Sequence, residues 1–202
     1  MTAFVTGLAP ASGRLAGVIV VGFLGAAGDP GRLALEIARR AAGTGASVEM
    51  VGVATPDAAG DARLLELASA DIGHATVVRS AAEGLETADL DLALRYLPDV
   101  RAIVLVAPDG SLIEPAASAS GWSGAGLVII ANGRDGSAAD SRNPRAIDAA
   151  PQAIVLDPPR VDRDGTFAGL VAALATRLDA GDDPTTAWQS TVSALAVDAV
   201  RP

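Results

Sequence analysis

The chain has 202 residues, of which 50% are hydrophobic, and its formal net charge is −9. This apolar content excludes a chain that is disordered throughout, and the acidic balance disfavours nucleic-acid binding, which requires a positive surface. Because the chain has no Cys and a single His, it cannot form a disulfide, a thiolate metal site or a histidine cluster.

No apolar run reaches the roughly 18–20 residues that a membrane span needs, so no membrane partner is expected. The N-terminus has neither the charged start nor the long apolar stretch of a signal peptide, which favours a cytoplasmic location. Residues 1–16 are predicted to form a flexible N-terminal arm, and residues 17–202 a single domain.

Short apolar runs alternate with amphipathic segments along the first half of the chain. Residues 17–22 are a β-branched run between glycines, which is typical of a buried parallel strand. Asp29 and Pro30 have the residue types of a helix N-cap and of a first helical position. The predicted elements of this half are strands over 17–22, 48–53 and 77–78 and helices over 32–42, 61–70 and 85–97.

The second half repeats this alternation. Its predicted elements are strands over 102–106, 127–131 and 153–156, helices over 115–122, 166–178 and 185–200, and a polar loop over 133–144. The connections are too long for hairpins, so the strands should run parallel with helices on both faces. The pattern therefore predicts a three-layer α/β/α sandwich with a mostly parallel sheet.

Two stretches have the spacing of functional motifs. Residues 51–64, Val-Gly-Val-Ala-Thr-Pro-Asp-Ala-Ala-Gly-Asp-Ala-Arg-Leu, place Asp57 three residues before Gly60. Residues 164–169, Asp-Gly-Thr-Phe-Ala-Gly, open a predicted helix near the C-terminus.

These stretches resemble motifs of the ribokinase-like (PfkB) carbohydrate kinase family. Its members carry V-G-x-V-G-x-D-x-x-G-x-x-L, which residues 51–64 resemble with Asp57 and Gly60 in place and Thr55 replacing one glycine, and later G-A-G-D-[TA]-F-x-x-G. An upstream family motif, G-G-x-x-x-N-x-A, is matched by Gly31 and Ala38, with Arg32 replacing the second glycine and Glu36 the asparagine.

The resemblance implies a ribokinase-like fold and ATP-dependent phosphoryl transfer to a sugar or nucleoside hydroxyl, with ATP and Mg2+ as cofactors. Family members are usually longer and carry a lid of β-strands after the first strand. No such strands are evident here, so the lid is predicted to be absent or reduced. Because lid strands can form the dimer interface in the family, a homo-oligomer would need another contact.

The same resemblance assigns the candidate site. Gly31, Glu36 and Asp57 fall on the substrate side. At the phosphate side, Arg163, Gly165 and Thr166 would bind the anion at a helix N-terminus. No residue is assigned to a metal.

The candidate base departs from the family pattern. If Thr166 and Phe167 fix the register, Gly165 takes the position of the family's catalytic aspartate, and Asp164 is the only candidate base. Losing a positioned base commonly lowers a rate by roughly 10²–10⁴-fold. The sequence therefore predicts weak or lost catalysis, and a degenerate kinase that binds ligand without turnover is one interpretation.

Each candidate also has a structural interpretation. Asp57 is a residue type that caps helices, Glu36 suits an exposed helix face, and Asp164 could cap the helix after Gly165. His74 suits a surface or packing role better than that of a general base. Two tryptophans, Trp122 and Trp188, are predicted to be packing residues.

Two other function classes remain open. Gly22, Gly25 and Gly28 follow a predicted strand with the G-x-x-G-x-x-G spacing of an NAD(P)-binding Rossmann protein. However, no acidic residue ends the next strand, and the chain has no Lys for a Tyr-x-x-x-Lys motif. A core without lid or base could also be a non-enzymatic regulatory or interaction module.

Overall fold

A computed structural model describes residues 17–24, 29–81, 84–97, 99–131, 150–159 and 162–200. In this part of the chain, six strands form one sheet in which every neighbouring pair is parallel, in the order β3-β2-β1-β4-β5-β6. They are β1 (Val18–Leu24), β2 (Val48–Ala54), β3 (Gly73–Arg79), β4 (Ala102–Val106), β5 (Gly126–Ile130) and β6 (Ile154–Leu156).

Among the described residues, six helices connect or follow these strands. They are α1 (Asp29–Gly43), α2 (Ala58–Ser69), α3 (Thr87–Tyr96), α4 (Ile113–Ser123), α5 (Thr166–Ala180) and α6 (Pro184–Val200). A 3-10 turn at Gly110–Leu112 leads directly into α4. The predicted α/β class is confirmed, with a fully parallel sheet among the described strands.

The sheet divides the core into two layers because successive side chains on a strand point to opposite faces. On β1, Val18 and Val20 belong to the layer formed with α1 and α5, whereas Ile19 and Val21 belong to the layer formed with α3 and α4. The central strands are therefore apolar at nearly every position, as expected for a sheet covered on both faces.

Some predictions need correction. Residues 77–78 were expected to form a short strand, but β3 has seven residues. Trp188 packs against the core as predicted, whereas the packing prediction for Trp122 is wrong because 61% of this residue is exposed. The predicted arm over 1–16 and the predicted loop over 133–144 lie outside the described residues.

None of the helices described here combines the length and the apolar character that crossing a membrane requires.

Candidate functional site

The carboxyl ends of the strands form the edge of the sheet where α/β proteins bind ligands, above all where the strand order changes direction. In this chain that point lies between β1 and β4, because β2 and β3 extend the sheet to one side of β1 and the later strands to the other. α1 and α2 begin at this edge, since they are the elements that come after β1 and β2 in the chain. Their first turns contain Gly31 and the residues after Asp57.

Asp57 acts as the N-cap of α2. Its Oδ1 accepts hydrogen bonds from the Thr55 hydroxyl (2.6 Å) and from the backbone N–H of Gly60 (2.9 Å). These two bonds, the one from Thr55 first, lower the pKa of the Asp57 carboxyl. The capping interpretation of Asp57 is confirmed, and its role in substrate binding stays a prediction.

Two glycines of the same segment are also explained by local folding. A side-chain carbon at Gly60 would collide with the carbonyl oxygen of Thr55, and one at Gly52 with the carbonyl oxygen of Gly22. Asp57, Gly52 and Gly60, the motif residues of this segment, are therefore all explained by strand pairing and by the start of α2. Their match to the family motif accordingly supports a similar fold more strongly than it supports substrate binding or catalysis.

Glu36 lies on α1 and pairs with Arg40, with 2.7 Å between Oε1 and Nε and both side chains about 40% exposed. The Arg40 guanidinium in turn lies against Gly165 and near Gly169 at the start of α5. The structure thus brings Glu36, Arg40 and Gly165 together. Arg40 was not identified from the sequence, although its spacing of four residues from Glu36 is the usual signal for a helical ion pair.

α1 and α5 lie side by side on the same face of the sheet. Near their C-terminal ends, the hydroxyl oxygens of Thr44 and Thr176 are 2.9 Å apart. Near the N-terminal end of α5, Arg40 reaches across from α1. This arrangement brings the predicted substrate side on α1 next to the predicted phosphate side on α5.

The start of α5 differs from what the sequence suggested. Gly165 holds the N-cap position in a left-handed conformation (φ 66°, ψ 20°) and offers no side chain. Asp162 supplies the acceptors instead: its Oδ1 accepts from the N–H of Phe167 (3.1 Å) and its Oδ2 from the N–H of Ala168 (3.0 Å). The expectation that Asp164 could cap this helix is therefore wrong.

Two of the predicted phosphate-side residues, Arg163 and Thr166, lie at the surface, and so does the candidate base Asp164. Asp164 makes no hydrogen bond or ion pair with any residue within the described part of the chain. A carboxylate in this position is solvated and is not held in a fixed orientation.

The start of α5 as arranged does not fit the phosphates of an ATP–Mg2+ complex, because two of its first amides already donate to Asp162. In the described ranges no group of three or more His, Cys, Asp or Glu side chains is placed to hold a metal ion, but Mg2+ needs only one or two carboxylates beside the nucleotide phosphates. His74 adds no chemistry at this site: it lies on the edge strand β3, half-buried, with its Nδ1 3.0 Å from the carbonyl oxygen of Ile72.

Solved sugar kinases have a similar architecture. A fructokinase with bound ATP from Xylella fastidiosa matches with a TM-score of 0.60 and 13% identity, covering 86% of this chain and 85% of that chain. A ribokinase II in complex with ATP and Mg2+ from E. coli gives 0.57 and 13%, covering 88% and 90%. A microbiome-derived acarbose kinase gives 0.56 and 12%, covering 89% and 91%.

No protein-family model matches the sequence, and no curated protein matches it. The likeness at 12–13% identity is one of fold, and the fold is ribokinase-like.

Proposed function

We propose that this chain is a sugar-kinase-like protein that binds a sugar or nucleoside and has lost efficient phosphoryl transfer. The observation that carries the proposal is the backbone at Gly165. By resemblance this is the position of the catalytic aspartate, and here it is a left-handed glycine that has the Arg40 guanidinium against it. No base can act from a residue without a side chain.

Asp164 is the remaining candidate base, and its surroundings support weak or absent catalysis. A general base must be within hydrogen-bond reach of the proton it removes, and its neighbours must hold it there. Asp164 is exposed and makes no contact of that kind with the described residues. We therefore expect phosphoryl transfer to be reduced by roughly 10²–10⁴-fold relative to a site with an oriented base.

The substrate side is proposed to consist of Gly31, Glu36 and Asp57. Carboxylates are suited to accept hydrogen bonds from sugar hydroxyls. ATP with Mg2+ remains the nucleotide to test, because two of the similar structures are complexes with ATP and one of these also contains Mg2+. Mg2+ usually binds through nucleotide phosphates and only one or two carboxylates, so its affinity should depend on the nucleotide.

Calorimetry and an ADP-release assay test this proposal together. We expect a sugar or nucleoside from a panel of ribose, fructose and adenosine to bind, and at 100 times its Kd to stabilise the fold by about 2.7 kcal/mol. ADP release with ATP and Mg2+ should stay at background and should not change in Asp164→Asn. Rapid ADP release that Asp164→Asn abolishes would instead identify an active kinase.

One observation favours a second candidate, NAD(P) binding. The strand order β3-β2-β1-β4-β5-β6 is also that of dinucleotide-binding sheets. However, a side-chain carbon at Gly22 would press on Ala34, so Gly22 serves the packing of α1 on the sheet. Gly25 and Gly28 lie outside the described residues. NADH belongs in the same titration, and its binding in place of ATP would favour this candidate.

The third candidate is an interaction module or an assembly of copies of this chain. The supporting observation is that large apolar side chains are exposed on α3 and α4. Their exposed fractions are 54% for Leu92, 74% for Tyr96 and 61% for Trp122. Light scattering of the purified chain tests for a homo-oligomer. If neither a small molecule nor a nucleotide binds, this candidate replaces the kinase-like one.

A further inference from the structure

The contact between Asp162 and α5 differs from the other aspartate caps of this chain. Asp183 precedes α6 and accepts from the N–H groups of Thr185 and Thr186, both through Oδ1. That spacing of two and three residues is the usual one for an N-cap. Asp162 instead accepts hydrogen bonds from N–H groups that lie five and six residues further along the chain. Each of its two carboxylate oxygens accepts from one amide of α5. Its carboxylate sits on the helix as a separate oxyanion would.

The contact leaves the start of α5 little capacity for another anion. Besides the N–H groups of Phe167 and Ala168, the N–H of Gly169 donates to the carbonyl of Gly165 (2.8 Å). Three of the first four helical amides therefore have acceptors within the chain. A phosphate group would have to take two of them from Asp162, and its charge would be repelled by that carboxylate at close range.

The positively charged side chain of Arg40 lies at the same N-terminal end of α5. The Arg40 guanidinium lies against Gly165, and its Nη1 is 3.5 Å from where a side-chain carbon of Gly169 would be. A positive charge is unfavourable at a helix N-terminus unless anions accompany it, and here Asp162 and Glu36 supply them. If the Asp162 carboxylate were absent, free amides and a guanidinium would remain together, which is a combination that attracts phosphate.

We propose that Asp162 is an internal competitor for phosphate: its carboxylate closes the N-terminus of α5, and a phosphate group binds there only when Asp162 is displaced. This inference rests on the proposed function in that it concerns the phosphate end of the same site. It goes further by assigning the closure to one side chain that can be removed.

The test is a titration of 15N-labelled protein with inorganic phosphate, followed through the amide resonances of Phe167 and Ala168. We expect Asp162→Ala to bind phosphate about 10- to 100-fold more tightly than the unchanged protein, the range set by charge-assisted hydrogen bonds. The shifts should be confined to the start of α5. Asp162→Asn, which removes the charge but keeps one acceptor, should show a smaller gain and serves if Asp162→Ala does not fold.

Asp183→Ala is the matched control because it removes one capping carboxylate from another helix and changes the net charge equally. We expect it to gain no phosphate affinity. Equal phosphate binding by the unchanged protein and the Asp162 variants, or an equal gain in Asp183→Ala, would overturn the inference. A parallel titration with the sugar and nucleoside panel separates the two proposals, since failure to bind any of these overturns the proposed function and leaves the phosphate comparison standing.

Discussion

Gly22 of β1 and Gly52 of β2 are paired in the sheet, and the carbonyl oxygen of Gly22 fills the space that a side chain on residue 52 would need. The glycine in the Val-Gly pair of the family-like segment is thus required by the contact between two central strands. Any side chain there would have to push β1 and β2 apart at the middle of the sheet.

Gly52→Ala is therefore expected to destabilise the fold by at least about 1–3 kcal/mol, the range for overpacking a core, because backbone cannot yield as a side chain can. Urea unfolding measures the change. Gly121→Ala is the control, since Gly121 is an exposed residue of α4 with open space around it. That change should stabilise the protein by about 0.5–1 kcal/mol. Equal effects of the two substitutions would argue against the close strand contact.

A comparison of Gly165→Ala with Gly124→Ala separates backbone strain from contact with Arg40. Both glycines have left-handed φ values, 66° and 73°, but only Gly165 has a neighbour in the way. Each substitution should destabilise the fold by about 1–2 kcal/mol. The destabilisation of Gly165→Ala should exceed that of Gly124→Ala by only about 0.5 kcal/mol. The reason is that the exposed Arg40 guanidinium can move aside, at the loss of one ion pair within α1.

In an Arg40→Ala background, this additional destabilisation at Gly165 should vanish, while the loss of stability that both glycine substitutions cause through backbone strain should remain. Thermal unfolding of the four glycine variants and of their two parent proteins measures it. An excess of several kcal/mol would mean that Arg40 is held rigidly between the two helices.

The cap of α2 predicts an acid-dependent contribution to stability. The pKa of Asp57 is lowered in the folded protein by the Thr55 hydroxyl and the Gly60 amide. The stabilisation is therefore fully present above the ordinary value of 3.8 and is lost as the pH falls through the lower folded-state value. The difference in urea midpoint between the unchanged protein and Asp57→Ala should be largest near neutral pH and should shrink below pH 3.8. A difference that grows on acidification would contradict this assignment.

The hydroxyl pair of Thr44 and Thr176 is a measurable link between α1 and α5. Each hydroxyl can also donate to a carbonyl of its own helix, that of Ala41 or Ala172. Because these local acceptors compete, we expect a coupling free energy of only about 0.5 kcal/mol in the cycle of Thr44→Val, Thr176→Val and the double variant. Zero coupling would place the two helices further apart in solution.

The strands that the sequence predicts best are those buried on both faces. Residues 102–106 were predicted with the bounds that β4 has, because this continuous apolar run is too short for a helix and is rich in β-branched residues. β3 was underestimated because it lies at the edge of the sheet and begins with Gly73 and His74, where half-exposed polar positions hide the strand pattern. The strand order itself depends on how the connections cross the sheet, which local patterns do not encode.

The assignment of the candidate site residues stays a prediction, and the sequence did not show how their segments meet. The contact between the segments that carry Glu36 and Gly165 runs through Arg40. Asp162 was not identified from the sequence as the cap of α5, because a cap is normally sought within three residues of the amides that donate to it. The left-handed turn at Gly165 folds the loop back, and this places Asp162 on amides five and six residues away.

The position of β4 has a consequence for synthesis of the chain. β1 pairs with β2 on one side and with β4 on the other, yet β2, α2, β3 and α3 all precede β4 in the chain. While residues 18–96 emerge from the ribosome, the hydrogen-bonding edge of the most central strand has no partner, and Ile19 lacks the layer that α4 completes. The nascent chain thus carries an open edge on β1 until β4 is released, and an unpaired edge of this kind can pair with another chain.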